Sequence, residues 1–482
     1  MSRFKVKGGK ELSGEIEPQG AKNEALQIIA ASVLVQKIKI VNCPNILDVR
    51  NLLLILENGG AKIKWNKENV NKNNFKLEDE KMVKKNISEK NVLYIDTRNI
   101  NQKYFESEEY FKLAEKLRGS LMLMGPLLAR YGRAYIPPTG GDKIGKRPID
   151  SHITGFLKIG AELKKDNKGY DYLELKKENI ISGTEILLDE SSVTGTANVF
   201  MALSLNANNV TVFNAACETY ITQLLTLFIN SNTLDVYGLG SNRVTLNTKI
   251  KEENKYNKEA IEKEPAINSL IKEKEELVEH VILPDFIEVA SFISLAMATK
   301  SEITIKNAGV KYLGTTLMVF DKLGCKYEIL GDNIKVLKLE KYIIQKMYDG
   351  SMTTVYSQPW PKISPDILSV GIVASLQCEG SILFHETMYE ARMFFVDKLV
   401  AMKASIILCD PHRVVVTGND WKSRLHARSM TSPDIRAGIA LLIAALGAEG
   451  ESVIDNAEQI DRGYENIELR PAALGADITR VE

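Results

Sequence analysis

The chain has 482 residues, 44% hydrophobic and 26% charged, and its 62 basic and 62 acidic side chains cancel to a formal net charge of zero. The length calls for two or three domains, and the charge balance argues against bulk electrostatic binding to nucleic acid or an anionic membrane. Five scattered cysteines without a C-x-x-C pair, no signal-peptide core and no apolar run near the ~18 residues that span a bilayer give the expectation of a cytoplasmic protein with reduced thiols.

Along the chain one unit recurs six times. Each copy opens on a small, apolar, nearly charge-free stretch: NEALQIIAASVL, GSLMLMGPLLARYG, GTANVFMALSL, FIEVASFISLAMATK, DILSVGIVASLQCEG and DIRAGIALLIAALGAEG. A short strand follows, such as KIKIVN, NVTVFN or SILFHE, then a more charged helix such as VRNLLLILEN or FVDKLVAM. Each copy closes on another strand: GGAKIKW (59–65), IGAELKK (159–165), SNTLDVYG (231–238), LGCKYEIL (323–330), MKASIILCD (402–410) and LGADITRV (474–481). Helices apolar on every side predict burial on every side, with sheets packed around them. Six such units fit two pseudo-symmetric α/β domains of three units each; the competing arrangement is a linear solenoid. Residues 66–90 and 250–279, rich in Lys, Glu and Asn, interrupt the pattern and are expected to be solvated insertions, the second with a marginal helix.

Cations beside small or turn-forming residues recur at the joints of these units: QGAKNEAL (19–26), LRGSLM (117–122), GGDKIGKRPID (140–150) and IDRGYENIE (460–468). SPDILS through YEARMFF (364–395) and SPDIRAG (432–438) each pair an acid with an arginine. A lone arginine of this kind is more often a surface ion pair. Repetition at equivalent joints instead predicts a cationic cleft suited to a small, highly charged anion.

GAKNEA, RGS, GGDKIGKRPIDSH, LPDFIE, PDILS, EARMFF, PDIRAG and QIDRGYENIE resemble, in order and over nearly the whole chain, the UDP-N-acetylglucosamine 1-carboxyvinyltransferase family. The resemblance implies the enolpyruvyl transferase fold, a two-domain inside-out α/β barrel with the active site between the domains. Its pattern implies one discontinuous domain of residues 1–21 and 283–482 and a second of 22–282, which carries a mobile loop at 137–150. The activity implied is transfer of the enolpyruvyl group of phosphoenolpyruvate to the sugar 3-hydroxyl, with release of phosphate, by addition and elimination without metal or other cofactor. Partners are then the two small-molecule substrates, with no nucleic acid or membrane; the family's reaction opens peptidoglycan synthesis.

By the same resemblance, Lys22 and Arg462 hold the phosphate of phosphoenolpyruvate, and Arg118, Arg147 and Arg436 complete the cationic shell, Arg118 and Arg147 also reaching the sugar nucleotide. Asn23 is a sugar contact, and Asp366 is the base at the 3-hydroxyl. Glu190, Ser191, Ser192, Val193 and Thr194 match the uridine contacts, Met388 lies in another substrate-side segment, and Arg392 and Asp434 support the cleft. Most family members carry cysteine where this chain has Asp142. The resemblance therefore gives Asp142 the acid–base role at the loop tip, although a free carboxylic acid is only roughly 0.1% protonated at neutral pH. Lys143 and Arg147 lower that fraction, whereas desolvation and bound phosphate raise it. Fosfomycin alkylates the family's cysteine, and a carboxylate is a poorer nucleophile, so resistance is expected. Two other readings are the sister 3-phosphoshikimate enzyme, whose GNAGTAMR-type segment is replaced here by RGSLM, and a non-catalytic UDP-sugar-binding paralogue.

Overall fold

The structure, a computed structural model, describes residues 2–66, 91–138, 140–141, 144–176, 182–249 and 277–482. Asp142 and Lys143, nearly all of the first insertion and residues 250–276 of the second, with the helix expected there, lie outside the described residues.

All six apolar stretches are helical: Lys22–Val35, Met124–Tyr131, Val193–Leu203, Phe286–Ala298, Leu368–Ser375 and Ile435–Gly447. Every residue of the last three is buried. Those three pack against one another, as do the first three, so each trio forms the inside of a layer arrangement with sheets outside. Their composition explains this position, because a helix without a polar face has no side to offer water. All six closing segments are strands, namely Lys62–Asn66, Glu162–Lys165, Leu234–Tyr237, Tyr327–Leu330, Ile406–Asp410 and Asp477–Val481.

Among the described residues, five of the six sheets have four strands with one parallel and two antiparallel pairings, which is the repeat seen in three dimensions. The sixth, Arg133–Tyr135, Asp171–Glu174 and Glu162–Lys165, has three strands among the described residues. Strand Arg3–Lys7 lies between Glu451–Asp455 and Asp477–Val481, so Arg3 faces both Asp455 and Val481 and the two ends of the chain share one sheet. The strands of residues 3–16 and 302–481 build three sheets, and those of 37–281 build the other three. The second insertion is shorter than expected. Val278–Val281 pairs in parallel with Lys37–Val41, and His280 points inward to the buried Glu24, 2.9 Å away. The alternation of LVEHV, and not the charge run before it, decides those residues. Among the described residues no helix is long and apolar enough to cross a membrane.

Candidate active site

The N-terminal ends of all six inner helices, or the 3-10 turns leading into them, converge on one cleft of about 570 Å³. Lys22, Arg118, Thr194, Phe286, Asp366 and Arg436 each come from a different one of these ends. Unpaired backbone N–H groups and the positive ends of helix dipoles favour an anion at such a place even before any side chain is counted.

On one side of the cleft, Asp48 receives Lys22 Nζ at 2.5 Å and Arg462 Nε at 3.0 Å. Arg462 also donates to Gln459 Oε1 at 3.1 Å. Gln19 fastens the two cation-bearing segments together, donating to Gly463 O and accepting from Glu465 N, both at 2.8 Å. Burial pushes the Asp48 carboxyl up, but Lys22 and then Arg462 outweigh it and hold the group below the ordinary carboxylate value. The trio therefore carries one net positive charge.

A second cluster lines the same cleft. Arg392 Nη2 donates to Asp366 Oδ1 at 2.6 Å, and Arg436 Nε lies 3.4 Å from Asp366 Oδ2. Asp434 caps its helix, accepting from Arg436 N at 2.9 Å and Ala437 N at 3.0 Å, and stands 3.6 Å from Arg392 Nη1. Asp434 thus caps the helix that carries Arg436 and stands beside Arg392 without itself lining the cleft. Burial raises the Asp366 carboxyl, but Arg436, Arg392 and Lys22 reverse the shift and hold it low. Arg436 is anchored further by donating to Tyr464 OH at 3.2 Å.

Of the glycine-pair loop, Gly141, Ile144, Lys146, Arg147 and Pro148 line the cleft. Gly141 has φ +107°, and a Cβ there would stand 3.0 Å from both Arg118 Cβ and Arg147 Nη2. A Cβ on Gly140 would fall 1.7 Å from Glu115 O. These glycines therefore admit close packing as well as an unusual backbone. Arg118 Nη2 donates to Arg147 O at 3.0 Å, and burial, followed by the neighbouring Arg147, lowers its pKa to about 10, leaving it charged at neutral pH. Ala391 N donates to Ile144 O at 3.1 Å and ties the loop to the segment that carries Met388 and Arg392.

Asn23, Arg147, Met388 and all of Glu190–Thr194 line the same cleft. Ser192 caps the helix Val193–Leu203 by accepting from Gly195 N at 3.2 Å, and Ser151 Oγ lies 3.4 Å from Glu190 Oε1. Thr194 meets His152 Nε2 at 2.9 Å, and burial, with Arg118 adding, lowers that imidazole to about 3, so it is neutral at physiological pH.

Asp48, Glu218, Tyr220 and Tyr389 also line the cleft, and sequence reasoning did not single them out. Asp48 opens the helix Leu47–Asn58, where an acid in the first turn reads as an ordinary helix start. Burial, then Asp366 and the two neighbouring side chains Arg392 and Arg147, act on Tyr389, with a net rise in its pKa. Its position directly after Met388 in a motif already singled out was the available signal. Glu218 and Tyr220 lie in NAACETY, which carried no such mark.

Similarity to known proteins agrees with this geometry. The family model described as EPSP synthase (3-phosphoshikimate 1-carboxyvinyltransferase) matches residues 6–470. Proteins named UDP-N-acetylglucosamine 1-carboxyvinyltransferase are similar over the full length of both chains: 44% identical in Bacteroides thetaiotaomicron and 43% in Porphyromonas gingivalis. One from Bradyrhizobium diazoefficiens is 38% identical, covering 99% of this chain and 98% of its own. Among solved structures, the enolpyruvyl transferase NikO from Streptomyces tendae superposes with a TM-score of 0.78 at 18% identity, covering 100% of this chain and 99% of its own. EPSP synthase from Acinetobacter baumannii gives 0.62 at 14%, with both chains covered completely. Fold, repeated architecture and full-length kinship agree, and the chain belongs to the enolpyruvyl transferase family, among the UDP-N-acetylglucosamine 1-carboxyvinyltransferases.

Proposed function

We propose that this protein transfers the enolpyruvyl group of phosphoenolpyruvate to the 3-hydroxyl of UDP-N-acetylglucosamine and releases phosphate, the committing step of peptidoglycan synthesis. The observation that carries this reading is the full-length similarity, at 43–44% identity, to proteins named for that activity. The alternative acceptor, shikimate 3-phosphate, has support only from the description of the family model and from solved structures too dissimilar in sequence to indicate more than fold.

Residues 1–21 with 283–482 and residues 22–282 form the two domains in this reading, and the cleft lies between them. Lys22 and Arg462 take the phosphate of phosphoenolpyruvate; Arg118, Arg147 and Arg436 surround phosphate and carboxylate. Asn23 and Asp366 face the sugar, while Glu190–Thr194 and Met388 line the nucleotide side. The reaction needs a proton on the methylene carbon of phosphoenolpyruvate, a proton taken from the sugar hydroxyl, and fixed positive charge as the tetrahedral ketal forms and collapses. Asp366 takes the hydroxyl proton. It is a weak base while Arg392 and Arg436 hold it. The two anionic groups of phosphoenolpyruvate compete for those guanidinium groups, and binding thereby raises the basicity of Asp366. Asp142 supplies the methylene proton, protonated only in the desolvated, phosphate-bound complex. The cytoplasm is the compartment this reading requires. Phosphate release from phosphoenolpyruvate with UDP-N-acetylglucosamine, with shikimate 3-phosphate, or alone is the test.

A further inference from the structure

His152 and Asn198 are fully buried and do not line the cleft, whereas Thr194 is partly exposed on its wall. Two backbone groups decide which way round the Asn198 amide stands. Gly125 N can only donate, and it meets Asn198 Oδ1 at 2.7 Å; Leu121 O can only accept, and it meets Nδ2 at 2.9 Å. The second Nδ2 proton is therefore left for His152 Nδ1, also 2.9 Å away. A ring nitrogen that accepts carries no proton, so His152 is the neutral imidazole with its proton on Nε2. Burial, and then Arg118, push the same group toward the neutral form.

Nε2–H in turn donates to Thr194 Oγ1 at 2.9 Å. A hydroxyl that accepts from an imidazole N–H still has its own proton to give. Among the described residues Thr194 Oγ1 makes no other hydrogen bond, so that proton is available to a molecule in the cleft. Charge decides what takes it. Arg118 lines the same cleft and acts on both His152 and Glu190. Thr194 is also the second residue of the helix Val193–Leu203, at its positive end. An anionic oxygen suits this place better than a neutral carbonyl. Phosphoenolpyruvate has Lys22 and Arg462 for its phosphate in the reading above, which leaves the diphosphate of the sugar nucleotide.

We propose that His152 and Asn198 are positioning residues that hold the Thr194 hydroxyl as a hydrogen-bond donor to a diphosphate oxygen of the sugar nucleotide. This rests on the reading of the cleft as a sugar-nucleotide site. Thr194→Val keeps the shape of the side chain and removes the donor. It should raise the KM for UDP-N-acetylglucosamine about tenfold and leave the KM for phosphoenolpyruvate in place, while Thr194→Ser restores the former to within about twofold. As competitive inhibitors, UDP should lose about tenfold in Thr194→Val and uridine should not. Nitrogen NMR of the full chain labelled in its five histidines should show His152 protonated on Nε2 alone, with and without UDP. A proton on Nδ1 of His152 overturns the proposal, as does an unchanged KM for the sugar nucleotide in Thr194→Val or an equal loss for uridine and UDP. Those results would leave turnover of UDP-N-acetylglucosamine by the unmodified protein intact; absence of that turnover overturns both the proposal and the reading on which it rests.

Discussion

Asp48 holds two cations, Lys22 and Arg462, that would otherwise repel each other across the cleft wall. Its folded pKa is depressed, so its contribution to stability is present above the unfolded value near 3.9 and is lost as pH falls through the lower folded value. Asp48→Asn should therefore cost roughly 3 kcal/mol at pH 7 in urea unfolding. The difference from the unmodified protein should narrow as pH drops below about 4. Asp142 is open to a separate test. If it is the acid, Asp142→Asn loses a limb of the pH–rate profile and at least about a hundredfold in turnover. Asp142→Cys should gain time-dependent inactivation by fosfomycin, which the unmodified protein should not show. Unchanged turnover in the first variant, or inactivation of the unmodified protein, would refute that role. The cations of the cleft were legible in the sequence because each stands in a motif with a glycine, proline or acid at fixed spacing. Asp48 was not, since an acid at a helix start has a sufficient local explanation and its two partners come from opposite ends of the chain.

At the scale of elements, the repeat was legible because apolar periodicity without a polar face admits few placements, and all six inner helices and six closing strands lie where it puts them. Less legible was how closely the helices approach. Asn198 Oδ1 accepts from Gly125 N at 2.7 Å, and its Nδ2 reaches Leu121 O and His152 Nδ1, both at 2.9 Å. The helix Val193–Leu203 is thus locked to Met124–Tyr131 and to the histidine that meets Thr194 in the cleft. A Cβ on Gly125 would stand 2.3 Å from the Asn198 carbonyl oxygen. Helix propensity alone favours Gly125→Ala by about 1 kcal/mol, whereas overpacking against backbone costs about 2–3 kcal/mol. We expect net destabilisation by urea unfolding and a raised KM for the sugar nucleotide. A stabilised variant would show that the helices separate freely. Sequence could not supply this contact, because it depends on backbone atoms of two helices distant along the chain.

For the whole molecule, three sheets around each trio of inner helices bring six helix ends to one cleft, and the side chains there add cations to an already positive place. A protein of zero net charge thereby concentrates positive charge where an anion is to react, and stays near neutral elsewhere. Neither composition nor any single motif carries that result; it comes from repetition of the unit. Which acceptor shares the cleft with phosphoenolpyruvate is the question on which the account rests. Phosphate release should be followed with UDP-N-acetylglucosamine, with shikimate 3-phosphate, and with phosphoenolpyruvate alone. Sustained release is expected with the sugar nucleotide, one phosphate for each sugar 3-hydroxyl converted to an enol ether, and none in the other two mixtures. Release with shikimate 3-phosphate, or none with the sugar nucleotide, would contradict it.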